Sequence, residues 1–239
     1  MMSNLPPRRR SGGPSWTEPI ISRLTPKVKV YVVASTLIYL FYVMVPAARS
    51  FMETHLALGP RLFSGEVWQP VTALFFYSDF LGFLLNTIGI WFMGPLLERV
   101  QGTRSATALF FVSGIAANLA EIGVSRGSAM VMSGSSNALL ALFVAYGRIF
   151  GRTETQVIGG LFLQARTLAI VFVVWAVVAC LVQGNIPALA GVLTTAAIGY
   201  AAGKPGGFAD VWQAMKARRA RRRYRVLEGG ASRKKKYLN

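Results

Sequence analysis

Long apolar runs alternate with short polar connections along most of this chain, and the runs are too long for the helices of an ordinary soluble domain. About 20 apolar residues at a rise of about 1.5 Å each cross a hydrocarbon layer of about 30 Å. By that rule the pattern predicts six spans, at residues 28–48, 80–97, 105–120, 132–150, 167–182 and 186–202, the last two joined by a tight turn at Gly184 and Asn185. Asp79 stands where an N-cap of the second span belongs. The amphiphilic stretch 49–78, with Trp68 and Pro70, is expected to lie partly in the membrane interface. The first run is long enough to be a retained helix rather than a cleaved signal. Past Gly206, Phe208, Val211, Trp212 and Met215 recur at helical spacing beside a basic face. That predicts an interfacial amphipathic helix over 204–225, touching the membrane surface through Trp212, Arg218, Arg219, Arg222 and Arg223. A solvated basic helix or tail is the alternative. Residues 1–27 and 226–239 read as disordered basic segments, leaving 28–203 as the membrane domain.

Composition agrees, because 53% of the 239 residues are hydrophobic and 15% charged, which removes the typical globular balance. Charge then sets orientation. Lys and Arg number six in the N-terminal segment, two in the 94–106 connection, three in 147–166 and twelve in the C-terminal segment, against Arg49, Arg61 and Arg126 on the other side. Positive connections stay cytoplasmic, so both termini are expected there, which requires an even number of spans. The net charge of +17 fits an anionic lipid surface, and no nucleic-acid partner is expected. Cys180 is alone, so neither a disulfide framework nor a cysteine metal site is expected, and no cofactor or metal is assigned. The Ala and Gly content points first to a bacterial inner membrane and second to an endomembrane.

Polar and small residues inside the spans carry the chemistry. Gly114, Ala116 and Ala117, and Gly134, Ser135, Ser136 and Ala138, mark close contacts between helices. Asn86, within an apolar run, is expected to face the bundle interior and bond to backbone or to Ser136. Glu98 and Arg99 are expected to form an end-of-helix ion pair or a loop anchor. Asp79, Glu121 and Arg104 are placed at span ends, which argues against a transport pathway. A serine is a weak nucleophile unless a base takes its proton. The one histidine is His55, in the first connection, and no lysine occurs between Lys29 and Lys204. Ser136 is therefore expected to be uncatalytic, a small residue between the fourth and sixth spans, and His55 an ordinary surface residue.

The run Trp68-Gln69-Pro70-Val71-Thr72-Ala73-Leu74-Phe75, then Asn86, then Gly94 to Gly102 with Glu98 between, then Gly134-Ser135-Ser136-Asn137-Ala138 resembles the rhomboid superfamily over about 68–203. The resemblance implies an all-α, six-transmembrane-helix rhomboid-like bundle with cytoplasmic N- and C-termini, and with Trp68, Gly94, Glu98 and Gly102 as its signature. In active members a serine, matched by Ser136, is activated by a histidine in the sixth span. A histidine and an asparagine in the second span help hold the oxyanion. Here the asparagine is Asn86, but the histidine positions read Ala188 and Gly82, and a loop histidine position reads Tyr77. The glycine after the nucleophile is Asn137 and the loop arginine is Gln69. Ser136 and Ala188 are then vestigial, and the chain resembles the pseudoproteases, derlins among them. The spacing of Trp68, Thr72 and Phe75 is similar to derlins, while the Gly94 to Gly102 element is closer to bacterial rhomboids. Such proteins bind membrane-embedded clients in quality control or trafficking and thin the bilayer locally. Asn86, Gly134, Ser136, Asn137 and Gly191 are the contact candidates, and the third and sixth spans are short enough to contribute to thinning. The alternatives are an active intramembrane serine protease with displaced catalytic groups and a structural subunit docked through 208–226.

Overall fold

A computed structural model describes residues 25–125, 134–156 and 162–208. The expected surface helix with Trp212, Arg218, Arg219, Arg222 and Arg223, and both basic tails, lie outside the described residues apart from their innermost positions.

Helix α1, Pro26–Met44, begins with a proline, whose fixed φ suits the first helical turn. It stops earlier than the expected residue 48 because Val45 precedes Pro46 and is pushed out of the helical region (φ −118°, ψ 82°). Pro46 then opens α2, Pro46–His55. A 3-10 turn, Pro60–Ser64, and the short α3, Gln69–Thr72, complete the first connection.

Asp79 caps α4, Phe80–Gln101, its Oδ1 accepting from the Gly82 N–H at 2.6 Å. Asp79→Ala is expected to cost about 1 kcal/mol, measured as a lower thermal midpoint in detergent. Helix α5, Thr103–Ser125, has 23 residues, so the third span is not short, contrary to the expectation for 105–120. Helix α6, Ser136–Phe150, has 15 and begins four residues after the expected start. Between α6 and α7 the chain forms a small antiparallel hairpin, β1 (Glu154–Gln156) with β2 (Phe162–Gln164) and Glu154 opposite Gln164. The apolar runs are helical as expected, and this hairpin is the one departure from an all-α reading among the described residues. Helices α7, Ala165–Val182, and α8, Ile186–Ala202, are joined through Gly184, whose φ of +64° suits a glycine.

By length and hydropathy, α1, α4, α5 and α7 are candidate membrane spans, and α6 and α8 are shorter apolar helices. At about 1.5 Å per residue, α6 and α8 measure roughly 22 and 26 Å, less than a hydrocarbon layer.

Helix α6 is central, contacting α4, α5, α7 and α8, with Ala138, Leu142, Ala145 and Tyr146 in the main core. Small residues bring α8 onto it, as a Cβ on Gly199 would lie 2.7 Å from the Ala141 carbonyl oxygen and one on Gly203 3.0 Å from the Ala145 Cα. At one end, Gln101 Nε2 donates to the Ala202 and Lys204 carbonyls at 2.7 and 2.9 Å, tying the end of α8 to the α4–α5 turn. Helix α7 buries only Ala165, Leu168 and Ala169. Its remaining turns are exposed or half-buried, with Trp175 71% exposed, and stay against α6 through Phe172 stacked on Phe143 at 4.2 Å between ring centroids.

Candidate functional site

The first connection is organised by a buried amide. Gln69, fully buried, accepts from the Gly59 N–H at 3.0 Å and donates to Glu66 Oε2 at 2.8 Å and the Thr54 carbonyl at 3.2 Å. The neighbouring Trp68 indole donates to the His55 carbonyl, and His55 Nδ1 pairs with Glu66 Oε1 at 2.8 Å. His55 is thus half-buried and spends its ring on this connection, more engaged than the surface residue expected. Desolvation pushes the Glu66 carboxyl up, but hydrogen bonds from Gln69 and His55 outweigh it and hold the pKa below its ordinary 4.5. A carboxyl that binds its proton less tightly when folded stabilises fully above its unfolded pKa, and the gain is lost as pH falls through the lower folded value. The thermal midpoint is therefore expected to drop on acidification below about pH 4.5, with a smaller drop in Glu66→Gln.

A hydroxyl cluster sets the start of α6. Tyr77 and Tyr31 lie 2.5 and 2.8 Å from Ser135 Oγ and 2.8 Å from each other, and Tyr31 donates to the Leu74 carbonyl. All three side chains are buried. Gly134 (φ +92°) donates its N–H to the Ala73 carbonyl at 2.8 Å and lies against the Tyr77 ring. No side chain but glycine sits easily there. Residues 134 and 135 are thereby pinned to the 73–77 segment, and Ser136 is presented as the first, exposed residue of α6.

Asn86, the seventh residue of α4, donates Nδ2 to the Gly82 carbonyl at 2.9 Å and to Ser136 Oγ at 3.0 Å. Both partners expected of Asn86 are present. Ser136 therefore faces α4, whereas the expectation placed it between the fourth and sixth spans. That contact is made by Ala141, Val144 and Ala145 against Gly199 and Gly203. Ala188 is half-buried in the first turn of α8, its N–H satisfied by the Asn185 side chain. A Cβ on Gly82 would lie 2.6 Å from Asp79 Oδ2, so a larger residue at 82 disturbs the α4 cap.

Glu121 stands about one turn before the last residue of α5 and is buried, 6% exposed, a packing the sequence reading did not anticipate. Asn137 Nδ2 donates to its Oε1 at 2.5 Å, and its carboxylate fills the space a Gly191 side chain would need. Asn137 and Gly191 are thus brought together by Glu121 within the bundle. The signal was present as a face of Ser113, Gly114, Ala117, Asn118 and Glu121, small or polar at helical spacing, all buried.

Of the signature residues, Trp68 belongs to the first connection, while Gly94, Glu98 and Gly102 lie toward the opposite end of α4. Gly94 admits Val28, whose Cγ2 would be 2.6 Å from an added Cβ, and Gly102 (φ +79°) turns the chain into α5. Glu98 is buried with Oε2 lacking a partner. The ion pair expected of Glu98 and Arg99 is not among the salt bridges of the described residues, which join only His55 and Arg61 to Glu66. Glu98 turns inward, toward the α1 side of the bundle, instead of meeting the charge next to it.

Comparison with known families decides what this assembly is. The Rhomboid domain matches residues 64–207, more than half of the chain. The chain belongs to the rhomboid family. It is 28% identical over 126 residues to the Bacillus subtilis (strain 168) protein named "Putative rhomboid protease YdcA", the match covering 52% of this chain and 62% of that protein. In this rhomboid-family chain the matched region includes the first connection from the end of the 3-10 turn, the Tyr77–Ser135 cluster, Asn86, Ser136, Glu121 and all of α8. The multi-pass membrane character read from hydropathy accords with the family and with the apolar helices.

Proposed function

We propose that this rhomboid-family protein is a non-catalytic membrane factor of derlin-like type, which binds transmembrane helices of other proteins in quality control, trafficking or scaffolding. The observation that carries it is the environment of Ser136. Its hydroxyl accepts from the Asn86 amide, a donor that takes no proton, while the positions that hold histidines in active rhomboids are Ala188 and Gly82. His55 is paired with Glu66, and the neighbouring carboxylate, Glu121, is held by Asn137. Without a base the serine lacks the activation that acyl transfer needs.

The same geometry offers a place for a helix. Ser136 is exposed, α7 is buried only near its Ala165 end, and Leu81 and Leu85 on α4 and Val174 and Val178 on α7 are exposed. A client helix with a weakly polar face could lie between the outer halves of α4 and α7 and exchange hydrogen bonds with Asn86 and Ser136. Thinning of the bilayer rests on α8, since α6, although shorter, is enclosed by its neighbours and presents little edge to lipid. In this reading six helices span a bacterial inner membrane, with an endomembrane as the alternative, and the Lys and Arg asymmetry holds both termini in the cytoplasm. The basic tail contacts anionic lipid.

A photo-crosslinker at Ser136 or Val178 is expected to capture a changing set of membrane proteins, compared with one at Val112 on α5. Capture at no higher yield than at Val112 would count against the proposal. A single stoichiometric partner copurifying in mild detergent would favour a structural subunit instead. The second reading, an intramembrane serine protease using Ser136, is favoured by the protease name of the Bacillus subtilis relative.

A further inference from the structure

The groove between α1, α4 and α5 is lined by Gly94 and Glu98 of the signature, and the proposed function does not use it. It encloses about 310 Å³, the lower end of the roughly 300–1,000 Å³ typical of small-molecule sites. Its walls include Val30, Phe75, Ile90, Phe110, Phe111 and Leu142. From Ile90 to Glu98 along α4 it extends roughly 12 Å at about 1.5 Å per residue, most of a leaflet's roughly 15 Å of hydrocarbon.

Its polar end distinguishes it from a plain lipid-facing surface. Glu98 lines the groove, is 7% exposed, and its Oε2 has no hydrogen-bond partner. A buried polar oxygen left unpaired is costly, so a donor at that point would be strongly favoured. Lys27, exposed at the same mouth, supplies a cation on a flexible stem that suits a phosphate. An apolar slot ending in one acceptor and one cation matches a phosphodiester lipid whose headgroup also carries an N–H or O–H.

We propose that this groove is a specific site for a glycerophospholipid with a donor-bearing headgroup. One acyl chain lies against Ile90 and Phe110, the phosphate is at Lys27, and a headgroup ammonium or hydroxyl donates to Glu98. A phosphatidylcholine, whose headgroup has no such donor, leaves Glu98 unsatisfied and binds less well. The site requires that α1, α4 and α5 cross a membrane, and it is independent of what Ser136 does.

The test uses the full chain in nanodiscs containing diazirine-acyl phosphatidylethanolamine, phosphatidylglycerol or phosphatidylcholine at equal mole fraction, with crosslinks mapped by mass spectrometry. Residues 103–111 are expected to label several-fold more with the ethanolamine or glycerol lipid than with the choline lipid. The exposed α7 stretch 170–178, which meets bulk lipid, should show no preference. Thr107→Trp, which fills the groove, should abolish the excess, and Lys27→Gln and Glu98→Met should bring the ratio toward one. Equal ratios in both segments, or an excess indifferent to Lys27→Gln and Glu98→Met, would overturn the site. Lys27 is exposed, so Lys27→Gln leaves the packing intact and tests the site even where Thr107→Trp does not fold.

Discussion

Gly199→Leu is expected to destabilise the protein by about 3 kcal/mol, the upper part of the range for overpacking a close contact. A Cβ at 199 would sit 2.7 Å from the Ala141 carbonyl oxygen and 3.0 Å from its Cα. Both are backbone atoms of the central helix, which cannot turn aside as a side-chain end can. Helix α8 would have to move off α6, opening the Ala141 and Val144 contacts. The control is Gly123→Leu, at an exposed α5 position with nothing within 4 Å of its Cβ, which should be close to neutral. Thermal or denaturant unfolding in detergent reads the difference. Equal effects from the two substitutions would mean that α6 and α8 are not packed as described.

The second large effect is a coupling. In Gly191→Ala the new methyl takes the place of the Glu121 carboxylate. The carboxyl must leave Asn137, and leaving a hydrogen-bonding group inside the protein without its partner costs about 1–3 kcal/mol. A loss of about 2 kcal/mol is therefore expected. Because the methyl acts through Glu121, Gly191→Ala should cost much less in a Glu121→Ala background. A double-mutant cycle measures that difference directly. Additive losses would show that the Glu121, Asn137 and Gly191 contacts are not one unit.

These contacts also mark where sequence reasoning was strong and where it failed. The apolar helices were legible because hydropathy marks them, four of them long enough to be candidate spans, and Asp79 because its cap needs one side chain at one position. The burial of Glu121 was missed by the same rule that found the apolar runs. A hydropathy window ends at a charge, so it closed the third span at Ala120. Helical periodicity from Ser113 through Asn118 continues to Glu121 and places it inside. Val45 ended α1 early for a local reason, the following proline, that a window averages away. The Tyr31, Tyr77 and Ser135 cluster was illegible because its members are 46 and 58 residues apart in pairs, and only the fold brings them together. Asn86 with Ser136 was foreseen because a polar residue in hydrocarbon must find a partner. Glu98 and Arg99 were read as an end-of-helix ion pair or a loop anchor, and the ion pair fails because i and i+1 side chains on a helix do not face each other.

Whether the Ser136 hydroxyl is activated decides the proposed non-catalytic role. The most direct measurement is fluorophosphonate labelling of the purified full chain, in detergent and in nanodiscs, beside a Ser136→Ala control. No Ser136-dependent label is expected, with the two proteins indistinguishable. Label on the unmodified chain that disappears in Ser136→Ala would contradict it and assign this rhomboid-family member to the proteases.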